Sequence, residues 1–124
     1  MTPRRGDVYD ARFDPVEGSE QAGRRPVVVV SRDSMNEVLD RVIVVPCTTH
    51  RSANLYPSRV LVHPPEGGLA VPSVVLCEQV RVLSTSRLLR WRGAVSHATM
   101  RRIDRALAIS LDLPYDPDLD QDDP

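Results

Sequence analysis

The chain has 124 residues, with 16 arginines, no lysine, and 17 carboxylates for a formal net charge of −1. That length closes one hydrophobic core and not two, and neither a span of ~20 apolar residues nor an apolar leader behind the N-terminal arginines is present, so a cytoplasmic protein with no membrane partner is expected. The charge is uneven: residues 1–111 hold 16 arginines against 11 carboxylates, a balance of +5, whereas residues 112–124 hold six aspartates and no base. An anionic partner for the basic body would explain this, and so would an arginine-rich composition beside a solvated tail.

Runs rich in β-branched residues predict strands over Asp7–Phe13, Pro26–Ser31, Arg41–Cys47, Arg59–His63 and Ser73–Leu83. Asp14-Pro15, Gly18, Asp33-Ser34, Pro57-Ser58, Pro64-Pro65 and Gly67-Gly68 supply the turns between them. Val27–Val30 and Val42–Val45 are apolar throughout. Such runs predict burial on both faces, in a closed or half-closed barrel covered by a helix or a partner. A helical turn is expected near Thr85–Leu89 and a further strand over Arg92–Val95. From His97 to Leu111 the stripe Met100, Ile103, Leu107, Leu111 predicts a helix, with Ser96 as N-cap and Pro114 as its stop. Beyond Pro114 the aspartate-rich segment predicts disorder, with a domain over 1–113 and a tail over 114–124.

Cofactor and metal motifs are missing. His50, His63 and His97 are scattered, Cys47 and Cys77 stand thirty residues apart without C-x-x-C spacing, and there is no Walker or dinucleotide loop. The two cysteines sit in apolar runs and are expected as buried, reduced thiols. What remains is polar groups at strand mouths. Glu20, Gln21, Arg24 and Arg25 precede the VVVV strand, Cys47, Thr48, Thr49 and His50 follow the VIVVP strand, and Glu78, Gln79 and Arg81 interrupt SVVLCEQVRVL. A period of two across that last run would put Cys77, Gln79 and Arg81 on one face and Glu78 on the other. A carboxylate inside an apolar strand needs a partner, which is either an arginine bridge pinning the barrel or a ligand.

The segments RGDVYDARFDPVEGSEQAGRRPVVVVS, VIVVPCTT and SVVLCEQVRVL, in that order and spacing, resemble the MazF/PemK toxins of bacterial toxin–antitoxin pairs. The similarity runs from about Arg5 to Leu113. It implies an SH3-like β-barrel with a C-terminal helix, assembled as a homodimer, and an excess of apolar strand over what one small barrel buries points the same way. It also implies an endoribonuclease that cuts single-stranded RNA, including mRNA, at short sequences without a metal or cofactor. The products would be a 2′,3′-cyclic phosphate and a 5′-hydroxyl, and the partner a MazE-like antitoxin with an acidic segment. Carried over position by position, the catalytic pair falls on Arg25 and Thr48. Glu20 and Gln21 match the loop over the site, with Gln21, Ser73, Gln79 and Arg81 assigned to RNA.

A guanidinium suits this reaction because attack of a ribose 2′-hydroxyl gathers negative charge on the nonbridging phosphate oxygens, and arginine answers it with forked, permanently charged donors. Neither arginine nor threonine is a good base, so Glu20 and His50 are the candidates for supporting proton transfer. Val71-Pro72 replaces a polar pair common before the third strand in the family, which bears on RNA sequence preference. Two other functions are compatible with such a barrel. A CcdB-like gyrase inhibitor would need a C-terminal Trp-Gly-Ile, and this chain ends Asp-Asp-Pro. A catalytically silent barrel that only binds RNA or protein would leave RNA uncut.

Overall fold

A computed structural model describes residues 2–13, 23–51 and 55–116. Glu20, Gln21 and the acidic tail beyond Asp116 lie outside these residues. Among the described residues, seven antiparallel strands form one curled sheet: β1 (Asp7–Phe13), β2 (Gly23–Val29), β3 (Arg41–Thr49), β4 (Arg59–Val62), β5 (Ser73–Leu76), β6 (Arg81–Ser84) and β7 (Leu88–Ala94). The α-helices described with them are α1 (Asp33–Val38) and α2 (His97–Leu111). The strand order is β4-β5-β3-β2-β1-β7, with β6 on β3. The mainly β architecture with a C-terminal helix is as expected, but the hydrogen-bonded path ends at β4 and β7, so the sheet curls without closing.

The valine run of β2 lies at the centre and is buried on both faces. Val28 and Val30 pack with Val8, Val45, Val75 and the α2 residues Met100, Ile103 and Ala106. Val27 and Val29 pack with Tyr9, Ala11, Phe13, Val42, Val44 and Leu83 in the second core. Val27, Val28 and Val29 are each 0% exposed within one chain. These three valines therefore need no partner subunit to cover them, whereas Val82 on β6 and Leu89 and Trp91 on β7 stay exposed.

The predicted long strand over Ser73–Leu83 is broken. Residues Cys77–Gln79 form a 3₁₀ turn between β5 and β6, and the two strands pair in succession along one edge of β3: β6 with Arg41–Val44, β5 with Cys47–Thr49. The turn overrides the period of two, since Cys77 is buried while Gln79 and Arg81 are exposed. Glu78 turns outward: its Oε2 accepts from Arg59 Nε at 3.1 Å and Nη2 at 2.9 Å, and its Oε1 accepts from Ser58 Oγ at 2.9 Å. The expected bridge exists, but its partner is Arg59. Arg81 instead lies 4.8 Å over the Phe13 ring.

Helix α1 occupies a segment read as a turn. Ser31 and Asn36 fix it: Ser31 Oγ donates to Asn36 Oδ1 at 2.5 Å, Asn36 Nδ2 donates to the Ser31 carbonyl at 3.1 Å, and Ile43 N–H donates to Ser31 Oγ at 3.0 Å. All these polar groups are paired inside, which is what makes their burial tolerable. Helix α2 has the expected span, and Ser96 Oγ accepts from Thr99 N–H at 3.1 Å as its cap. Its buried stripe is Met100, Ile103 and Ala106, with Leu107 half-buried and Leu111 exposed. Full burial of a side chain such as Ile103 contributes about 1.5–3 kcal/mol. The helix ends at Asp112, in the left-handed region at φ 55°, with Leu113 N–H on the Ala108 carbonyl at 2.8 Å. Within the tail, the Tyr115 ring lies 5.7 Å from the Arg105 guanidinium.

Two carboxylates tie distant segments together. Glu66 Oε2 accepts from Ser96 N–H at 2.8 Å, joining a glycine turn to the start of α2, while Glu78 joins the 3₁₀ turn to β4. Burial alone would raise both carboxyls. Hydrogen bonds from Thr99 and Ser96 to Glu66, and from Arg59 and Ser58 to Glu78, outweigh it and hold both below the ordinary value of 4.5. A depressed folded pKa gives stability that is complete above the unfolded value and lost as pH falls through the folded one. Melting curves of the parent and the Glu66→Gln/Glu78→Gln double variant are therefore expected to lie well apart near neutral pH and to converge below pH 4.5. A gap of constant size across that range would contradict this linkage.

Candidate active-site cleft

The site is made where β3 changes neighbours. Pairing of β2 with β3 ends at Val27–Pro46. Immediately beyond, Cys47, Thr48 and Thr49 pair on their other edge with Val75, Val74 and Ser73 of β5. The start of β2 stays with β1, Arg25 opposite Ala11, and so parts from β3. A cleft of about 290 Å³ opens between them, lined by Arg24, Arg25, Pro26, Cys47, Thr48, Thr49, Ser73 and Arg92, with Leu69, Ala70 and Val71 as an apolar wall.

Its described lining holds three guanidinium groups and three hydroxyls and no carboxylate. Arg24 is exposed and Arg25 half-buried, and neither makes an ion pair with another described residue. Arg92 is held: Nη1 donates to Asp10 Oδ1 at 3.0 Å, and Nε and Nη2 donate to the Gly68 carbonyl at 3.2 and 3.0 Å. Ser73 is buried and donates its hydroxyl to the Val71 carbonyl at 2.9 Å, so toward the cleft it can only accept. The Cys47 thiol is pushed up to about 12 by burial and by neighbouring Cys77, against the opposing pull of Arg25 and Arg92. It stays protonated beside two cations and is no nucleophile at neutral pH. Cys77, also buried, is likewise pushed up to about 12, and both thiols are free.

The expected pair Arg25 and Thr48 thus shares one cleft, with Ser73. Gln79 and Arg81 line a smaller recess of about 70 Å³ with Phe13 and Pro46, which meets the main cleft at Arg25. His50 lies elsewhere, in a neighbouring cleft of about 240 Å³ with Arg51, Leu55 and Arg59 that touches the first at Thr48 and Thr49. The structure does not bring it together with Arg25. Glu20 and Gln21 lie outside the described residues. Arg92 was not anticipated, because it reaches the cleft through irregular pairing of β7 and not through a motif. Among the described residues no three His, Cys, Asp or Glu side chains converge as metal ligands, and no helix is long and apolar enough to cross a membrane.

Comparison with known proteins adds an independent line. A family model described as "PemK-like, MazF-like toxin of type II toxin-antitoxin system" matches residues 4–111. The chain is 41% identical over 114 residues to endoribonuclease MazF9 of Mycobacterium tuberculosis strain H37Rv, covering 89% of this chain and 97% of that protein. The structure of an endoribonuclease from a mycobacterial species matches with a TM-score of 0.76 at 28% identity, over 94% of this chain and 97% of that one. A mycobacterial endoribonuclease in complex with its cognate antitoxin matches with a TM-score of 0.75 at 29% identity, over 92% and 99% of the two chains.

Proposed function

This chain belongs to the PemK-like, MazF-like toxin family of type II toxin–antitoxin systems, and from that premise we propose that it is an endoribonuclease toxin acting on single-stranded RNA. The observation that carries the proposal is the cleft with Arg24, Arg25 and Arg92 beside Thr48 and Thr49 and no carboxylate in its described lining. Such a surface attracts a phosphodiester and repels nothing in it.

In the proposed reaction the ribose 2′-hydroxyl attacks its own phosphate, the bond to the next 5′-oxygen breaks, and a 2′,3′-cyclic phosphate and a 5′-hydroxyl result. Arg25 donates to the nonbridging oxygens, whose charge rises in the transition state, and Thr48 donates its hydroxyl from the adjoining strand. Preorganised donors aimed at developing charge supply about 2.7–4 kcal/mol each. Pro26, which has no N–H and a fixed φ, stiffens the chain next to Arg25. Arg92 adds a third cation to the cleft. No metal is needed for any of these roles. The recess of Phe13, Gln79 and Arg81 continues the RNA path past Arg25. The family places this activity under an antitoxin protein, and the structural relative bound to its antitoxin supports such a partner here. A homodimer is proposed on the same family grounds.

The test is direct. Purified protein incubated with a mixed RNA pool in EDTA is expected to release fragments whose 5′-hydroxyl ends share a short sequence context. RNA left uncut across that pool would instead support a silent RNA- or protein-binding module.

A further inference from the structure

Arg92 reaches the cleft through a fault in the sheet. In the β1–β7 ladder Val8 pairs with Gly93 but Tyr9 pairs with Trp91, so Arg92 is an extra residue with no opposite number on β1. A second shift follows between Asp10, opposite Arg90, and Ala11, opposite Leu88. Bulges of this kind re-aim side chains and gather beside active sites. Here the re-aimed side chain is only 18% exposed and meets Asp10, itself 20% exposed. Asp10 lies opposite Pro26, the residue after Arg25, in the β1–β2 register. Its second oxygen stands 3.4 Å from Arg90 Nε, on a side chain 71% exposed. Asp10 is not among the residues lining the cleft.

A buried guanidinium needs a carboxylate or carbonyl for its donors, and the choice of partners decides where it points. Arg92 has both. The Gly68 carbonyl takes Nε and Nη2, Asp10 takes Nη1, and together they clamp the fork from two sides. Arg24 and Arg25 have no such clamp among the described residues. We propose that Asp10 is a positioning residue for RNA cleavage: it acts through Arg92, fixing that guanidinium in the cleft before RNA arrives, and does not itself touch the substrate. The inference rests on the endoribonuclease reading of the site. It implies that the bulge and Asp10 form one device, the bulge sending Arg92 inward and the carboxylate holding it there.

A double-mutant cycle tests this with the full chain. Asp10→Ala is expected to lower the single-turnover cleavage rate about 10- to 100-fold, the scale of misplacing a catalytic contact by an ångström, with the RNA concentration for half-saturation little changed. Asp10→Asn, which keeps the shape and one acceptor, is expected to retain more activity than Asp10→Ala. In an Arg92→Ala background, Asp10→Ala should cost nothing further, because neighbouring residues that act as one unit are not additive. An equal loss in both backgrounds, or no loss in the parent, would overturn the proposal. A second measurement stands apart from catalysis. The Arg92 Nη1–H signal in nuclear magnetic resonance, from the nitrogen that donates to Asp10, is expected to exchange slowly with water in the parent and fast in Asp10→Ala. Slow exchange in both would show that Asp10 does not hold Arg92. If the parent cut no RNA at all, the enzymatic reading would fall, and this signal would still decide whether the clamp exists.

Discussion

Arg25→Ala is expected to lower RNA cleavage about 10²–10³-fold while leaving the thermal midpoint close to that of the parent. The two halves of this expectation have separate causes. Arg25 is half-buried at the mouth of β2 and makes no ion pair with a described residue, so its removal strands no partner charge among the described residues, and stranding one is the usual route to large destabilisation. Its value lies in what develops during reaction, since a guanidinium facing the phosphate gains most when the nonbridging oxygens are most negative. Such an interaction is lost from the rate and not from substrate binding. Arg25→Lys keeps the charge but not the planar fork and should fall between alanine and parent. Thr48→Ala is expected to lose activity in the same direction, and Thr48→Ser, which keeps the hydroxyl, to recover most of it. The measurement is single-turnover cleavage of an RNA that the parent cuts. A rate for Arg25→Ala near the parental one would remove Arg25 from the chemistry.

Why Arg25 and Thr48 could be read from the sequence, and Arg92 could not, follows from how each is positioned. The first two stand at the ends of strands that local composition marks well: β-branched runs gave Asp7–Phe13 with the observed bounds, and the stripe from Met100 gave α2. Residues at the mouth of adjacent strands come together wherever those strands pair, so a motif at a strand end carries three-dimensional information. Arg92 depends on an uncounted residue in the pairing of two strands about eighty positions apart, and nothing in RWRGA marks where a ladder will slip. The break at Cys77–Gln79 was hidden for a related reason, because it depends on Ser58 and Arg59 capturing Glu78 and the Ser58 carbonyl capturing Cys77 N–H. Helix α1 has only six residues, too few for a periodic stripe, and is fixed by the Ser31–Asn36 pair. Full burial of Val27–Val29 within one chain could not be foreseen either, since one apolar run fits both a two-faced core and a subunit interface.

Gly68→Ala is expected to damage fold and site together, in contrast to Arg25→Ala. Gly68 has φ +68°, and a Cβ built there falls 2.1 Å from the Arg92 carbonyl oxygen and 2.7 Å from its carbonyl carbon. Those are backbone atoms of β7, so no rotamer change relieves the contact and the turn must move away from the strand. The left-handed conformation costs a residue with a Cβ roughly 1–2 kcal/mol, and overpacking adds typically ~1–3 kcal/mol. The sum is a large part of what holds a domain of this size together. The same movement pulls the Gly68 carbonyl off Arg92, which loses the acceptor of Nε and Nη2. Gly23 is the control: its φ is +113°, but a Cβ there meets no described residue within 4 Å, so among these residues Gly23→Ala bears backbone strain without a clash. Thermal melts should therefore show a much larger drop for Gly68→Ala than for Gly23→Ala. Any folded fraction of Gly68→Ala should also cut RNA more slowly per folded molecule than the parent, because the surviving turn no longer presents its carbonyl to Arg92. Equal melting points for the two variants would mean that the Gly67-Gly68 turn does not set the approach of β7, and that Arg92 is held by Asp10 alone.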